Sequence, residues 1–136
     1  MYAEVAAIAN QTGRTRGIAL SASNSAANRV VIFLGSASNT ITGWVQASAQ
    51  VQTVNSTVTD QTAFNKIAIK YKSGDIALWI NGTEVSTSTA NFTFNATLSE
   101  LAFDQGNGSQ HMDGHVKQLV VFKEILSDAE LAALTS

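Results

Sequence analysis

The chain has 136 residues, a net charge of −2 and charged side chains at only 13 % of positions, with no cysteine and no proline. That length bounds it to one domain, and the missing cysteines exclude a disulfide scaffold, a thiolate metal site and a cysteine nucleophile. Eight basic residues against ten acidic ones exclude electrostatically driven nucleic-acid binding, and no apolar run approaches the ~18 residues of a membrane span.

Valine, isoleucine and threonine make 34 residues, which favours strands. In chain order the pattern predicts strands at 2–8, 16–22, 29–34, 40–49, 65–72, 75–80, 83–87, 98–103 and 115–123. The opening stretch has neither the basic nor the long apolar region of a secretory signal. Turn residues separate the strands at Gly13, 24–28, 35–39, 73–74, 81–82 and 105–109. Residues 51–62 are rich in threonine and read as either strand or loop. Ile67, Ile69 and Tyr71 alternate with Ala68, Lys70 and Lys72, the period of a half-buried strand. Asn81-Gly82 is a strong hairpin signal, because a type I′ turn needs positive φ at both central residues. The chain closes on a helix. Ser127-Asp128-Ala129-Glu130 spells a capping box, and Leu131 and Leu134 give it a short apolar stripe. Two turns of helix are not stable alone, so it must pack on the sheets.

The run Phe64 to Tyr71, the turn Ser73-Gly74 and then Leu78-Trp79-Ile80-Asn81-Gly82 form one segment of interest. Asp113-Gly114-His115-Val116, Leu119, Val121, Phe122 and Leu126 to Leu131 form another. Together they resemble the concanavalin A-like (laminin-G-like, pentraxin-like) jelly-roll family. The resemblance implies an all-β fold: an antiparallel two-sheet jelly-roll sandwich with one short C-terminal helix, residues 1–136 being a single domain. The closing residues 125–136 are similar to those ending such domains in bacteriophage tail-fibre and other virion proteins. That implies the C-terminal part of a longer protein, located in a virion or on an extracellular surface. It also implies a homo-oligomer, a trimer by analogy with fibre tips.

The same fold hosts glucanases, whose Glu-x-Asp-x-x-Glu motif is absent here: none of the five glutamates has Asp two residues later. The expectation is therefore a non-catalytic, lectin-like domain that binds a cell-surface glycan. Sugar sites combine an aromatic face with a few fixed amide or carboxylate partners. Trp44 and Trp79, the only tryptophans, stand opposite in parity to their apolar neighbours and are candidate stacking residues. The competing reading packs each under a loop or at a subunit contact. Asp104, Gln105, Asn107 and Gln110 supply polar partners from one loop. Relatives in the family hold calcium on rim loops, which makes Asp104, Asn107 and Asp113 the candidate ligands. In an extended chain His111, Asp113 and His115 share a side, a pattern open to a divalent ion or to plain solvation. Arg14, Arg16 and Arg29 can meet acidic sugars or neighbouring acids. Six Asn-x-Ser/Thr sequons occur, at Asn10, Asn55, Asn81, Asn91, Asn95 and Asn107. The alternative function is a structural module that caps or trimerises a fibre and has no ligand of its own.

Overall fold

The computed structural model describes residues 1–10, 12 and 16–136. The turn expected at Gly13 and the arginine at 14 lie outside the described residues. The strands are β1 Tyr2–Ala7, β2 Arg16–Ala22, β3 Ser25–Leu34, β4 Thr40–Ala47, β5 Gln50–Thr57, β6 Asn65–Lys72, β7 Asp75–Ile80, β8 Thr83–Ser88, β9 Glu100–Ala102 and β10 Gly114–Val120. Helix α1 spans Asp128–Thr135. The strands build two antiparallel sheets, ordered β10-β1-β6-β7-β8 and β5-β4-β3-β2-β9.

Alternating parity sets the faces. Val30, Ile32, Leu34, Ile41 and Val45 of one sheet point inward, against Ile67, Ile69, Ile76 and Leu78 of the other, and form the main core. Gly43 faces Ile69 of the opposite sheet. A Cβ there would lie 2.8 Å from Ile69 Cδ1 and 2.9 Å from Val54 Cγ2, so no larger residue fits without displacement. The hairpin between β7 and β8 turns on Asn81 and Gly82 with φ of 49° and 83°, the left-handed pair that the dipeptide predicts.

The strands expected at 98–103 and 115–123 are shorter, as β9 and β10, and three further elements differ from the sequence expectation. β3 starts at Ser25, four residues early, because Ser23 and Asn24 both take positive φ and close a tight hairpin with β2. β4 ends at Ala47, since Ser48 turns left-handed at φ 56°. Immediately after it, the ambiguous stretch becomes β5, paired to β4 along its whole length.

The capping box forms as spelled. Ser127 Oγ accepts from Glu130 N–H, and the Glu130 carboxylate accepts from Ser127 N–H at 2.8 Å. Leu131 then buries against Tyr2, Ala68, Ala77 and Trp79 on the outer face of the β10-β1-β6-β7-β8 sheet. Lys70 ties the helix start to that face through Asp128 at 2.7 Å and also meets Asp75 at 2.9 Å. Burial opposes the Lys70 charge, yet bonds to the two carboxylates outweigh it and raise its pKa. No helix among the described residues is long and apolar enough to cross a membrane.

Candidate functional site

The outer face of the β5-β4-β3-β2-β9 sheet gathers most of the sequence-derived candidates. Outward parity places Arg29, Val31 and Phe33 on β3, with Thr42, Trp44 and Gln46 beside them on β4. Phe33 is fully buried, and the Trp44 ring meets it edge-on, with centroids 5.7 Å apart and planes at 78°. Thr53 and Asn55 of β5 stand opposite Trp44 and Thr42 and continue the face as hydroxyl and amide. Trp44 is therefore held between a packed aromatic below and a polar, uncharged strip beside it.

Arg29 organises this arrangement. Its guanidinium lies 5.6 Å from the Trp44 ring centroid. Nε and Nη2 donate to Gln46 Oε1 at 3.1 and 3.0 Å, and Nη1 donates to the Gln105 carbonyl at 2.6 Å. At 6 % exposure it is a buried cation. Burial pushes its pKa down, and the Asp104 charge acts in the opposite sense. The planar fork suits this double task, stacking on one ring while bonding to two elements.

Loop 103–110 lies flat on β2. A Cβ on Gly106 would meet Ser21 Cβ at 3.0 Å and Ala19 Cβ at 3.1 Å, and one on Gly17 would meet the Asp104 carbonyl at 2.7 Å. Glycine at both positions lets the loop reach the sheet. Asp104, 9 % exposed, accepts from Gly106 N–H and closes the turn. Gln105 Nε2 donates to Ser109 Oγ at 2.6 Å, and Ser109 Oγ donates to Asn107 Oδ1 at 2.8 Å. The Gln110 carbonyl accepts from Gly17 N–H at 3.2 Å. Thus Trp44, Asp104, Gln105, Asn107 and Gln110 belong to one continuous region, joined through Arg29 and β2.

Trp79 does not join them. Parity does place it on an outer face, but on the other sheet, where α1 covers it to 8 % exposure. The stacking role considered for it yields to the competing reading, packing inside the molecule, because Leu131 of α1 and Tyr2, Ala68 and Ala77 of the sheet enclose it. A hollow beside α1, lined by Tyr2, Tyr71, Phe122, Ile125, Leu126 and Leu134, is mostly apolar and contains none of the candidates.

The ion-binding readings fare differently from the stacking one. Asp104 is committed to Gly106, Asn107 to Ser109, and Asp113 to Arg16 at 3.3 Å. Calcium needs six to eight oxygens directed at one point, and in this arrangement each of the three residues has a different protein partner. His111, Asp113 and His115 do not converge either: His115 packs near Phe64, with centroids 6.5 Å apart. No group of three His, Asp or Glu suited to a metal occurs among the described residues. Of the arginines, Arg16 and Arg29 both meet protein acceptors.

Phe33, Gln46 and the organising role of Arg29 escape a sequence reading. Arg29 looks like the start of a strand until β3 is seen to begin at Ser25. Its parity with Phe33 follows from a strand over 29–34, but its register opposite Gln46 is set only by the pairing of β3 with β4.

A sequence model of the family described as the concanavalin A-like lectin/glucanases superfamily matches residues 6–132. Among solved structures, the fold is similar to the Ruminococcus gnavus IT-sialidase CBM40, with a TM-score of 0.75 and 14 % identity, covering 99 % of this chain and 80 % of that one. The same module bound to α2,3-sialyllactose matches with the same values. No curated protein sequence matches the chain. At that identity the structural likeness concerns the fold.

Proposed function

The chain belongs to the concanavalin A-like lectin/glucanases superfamily, and on that premise we propose that it is a non-catalytic carbohydrate-binding domain. One observation carries the reading: Trp44 is held edge-on over Phe33 and flanked by Arg29, next to a loop that carries three amides, one hydroxyl and one carboxylate after the exposed Phe103. A ring fixed in that way costs little entropy to stack against the C–H face of a pyranose, while loop amides supply the orienting hydrogen bonds. Trp44, Gln105, Asn107 and Gln110 are the contact residues, and Asp104 holds the loop. The similarity to CBM40 modules, one of them bound to sialyllactose, supports this class of ligand.

The carbohydrate belongs to a cell surface, and the domain is part of a fibre-like or virion protein. The sequence of residues 125–136 and the 46 Ser, Thr, Asn and Gln residues support that setting. Such a protein is a homo-oligomer, so weak single-site affinity gains from multivalency. A glycan array, followed by titration of hits such as sialyllactose, tests the binding. Trp44→Ala should weaken it by up to about tenfold, roughly the value of one aromatic contact. Equal binding by wild type and Trp44→Ala would sink the reading. The second reading, a fibre cap without a ligand, draws on Trp79 being an internal packing residue. It predicts an empty array and loss of assembly on Trp44→Ala.

A further inference from the structure

An asparagine followed by glycine is the step at which a chain most readily attacks itself, because glycine has no side chain to screen its backbone nitrogen. The sequence has two such steps, Asn81-Gly82 and Asn107-Gly108. The structure treats them oppositely. At the β7–β8 turn every group that would have to move is held. Asn81 Oδ1 accepts from Lys66 N–H at 2.9 Å, Asn81 Nδ2 donates to Asn65 Oδ1 at 2.9 Å, and Gly82 N–H donates to Thr135 Oγ1 at 3.1 Å. A Cβ on Gly82 would lie 3.2 Å from Ser136 Oγ, so the residues ending α1 cover the turn.

Asn107-Gly108 has no such restraint on its attacking nitrogen. Gly108 is exposed, and among the described residues its N–H bonds to no other group. A Cβ on it would meet nothing nearer than Asn24 Nδ2 at 3.7 Å, so solvent reaches the peptide. Among the described residues the Asn107 carboxamide has one partner, and it acts on the reacting carbonyl. Ser109 Oγ donates to Asn107 Oδ1 at 2.8 Å while accepting from Gln105 Nε2 at 2.6 Å. That relay polarises the carbonyl and stands where negative charge would develop on Oδ1.

We infer that Asn107 is a self-modification site, which deamidates without an enzyme, and that the fold withholds the same reaction from Asn81. Gly108 N gives its proton to solvent base and attacks Asn107 Cγ. A C–N bond forms, Ser109 Oγ–H meets the charge on Oδ1, and the side-chain nitrogen leaves as ammonia with a proton from water. Water then opens the resulting succinimide ring at either carbonyl, leaving aspartate or isoaspartate. One water enters and one ammonia leaves, and nothing is oxidised or reduced. The product adds one negative charge to a chain of net charge −2, in the same turn as buried Asp104. Isoaspartate also lengthens the backbone inside the closure that joins Gln105 N–H to the Ser109 carbonyl at 3.0 Å. Loop 103–110 therefore changes in charge and in length as the molecule ages, whether or not it binds a sugar.

Incubation of the folded 136-residue chain at mildly alkaline pH, followed by ion exchange and peptide mapping, tests it. Product should accumulate at residue 107 at least about tenfold faster than at residue 81, which must wait for local opening of its turn. In concentrated urea, where neither turn exists, the two steps should react at similar rates, so that the difference is traced to the fold. This comparison uses the unsubstituted chain and depends on no variant folding. Ser109→Ala should slow the reaction at residue 107 about fivefold, the value of one neutral hydrogen bond, and leave residue 81 unchanged. Equal rates at the two steps in the folded chain would overturn the inference, as would the same preference surviving in urea. So would an absence of product at residue 107 in the folded chain, or an unchanged or faster reaction in Ser109→Ala.

Discussion

Arg29 is the residue through which most of the proposed binding face is held. Its three donors satisfy a side-chain amide on β4 and a backbone carbonyl in loop 103–110. Its removal leaves the Gln105 carbonyl without that donor and takes away the cation beside Trp44. Leaving a buried acceptor unpaired and losing charged hydrogen bonds costs about 2–4 kcal/mol in comparable cases. Arg29→Met should lower stability to urea by that amount and speed amide exchange in residues 103–110. Arg29→Lys should recover only part of it, because an ammonium cannot bond in a fork and stack at once. Unchanged exchange in the loop would show that something else holds it. The Trp44 indole, by contrast, draws its position from edge-on packing against Phe33.

At the scale of an element, α1 shows how a weak helix is made to stay. Eight residues cannot hold a helix in water. The capping box, the Lys70–Asp128 pair and burial of Leu131 act together. Ser127→Ala should cost about 1 kcal/mol. The box also has a pH signature. Bonds from the Ser127 hydroxyl and then its backbone N–H hold the Glu130 carboxyl below the usual carboxylate range. A folded-state pKa below the unfolded one gives stabilisation that is present above the unfolded value. That stabilisation is lost as pH falls through the folded one. The acid limb of the stability curve should therefore flatten in Glu130→Gln, measured by thermal unfolding from neutral pH down to about pH 3. An unaltered acid limb would assign acid lability to other carboxylates.

For the whole molecule, the two outer faces are used for opposite purposes. One sheet is roofed by α1, and the other presents Trp44, Arg29 and the polar loop. Removing residues 127–136 should expose Trp79 and Tyr2. In a Trp44→Phe background the fluorescence of Trp79 should shift to the red, with a loss of several kcal/mol in stability, on the order of a large core truncation. The emission of Trp44 in a Trp79→Phe background should stay where it was. If both tryptophans respond alike, the two faces are not independent.

Much of this was legible in the residues. The alternation from Ile67 to Tyr71, the Asn81-Gly82 turn and the Ser127–Glu130 box are local signals, because each depends on neighbours within a few positions. They led to the strands, a hairpin and the helix cap where the structure has them. The loop residues Asp104 to Gln110 were legible as polar candidates, but not their attachment to Trp44. That attachment runs through Arg29 and Gln105, 76 positions apart. β5 was ambiguous because threonine, glutamine and asparagine alternate weakly with two valines, and pairing with β4 supplies the missing preference.

The sequence by itself determined a cysteine-free, strand-rich chain with few charges, since composition and period-two patterning act residue by residue. Only the tertiary structure decided which tryptophan is inside. Trp44 and Trp79 share the same outward parity, and parity cannot say which outer face a distant helix will cover. It also gave each of the three candidate calcium ligands a protein partner of its own once the loops were folded against the sheets.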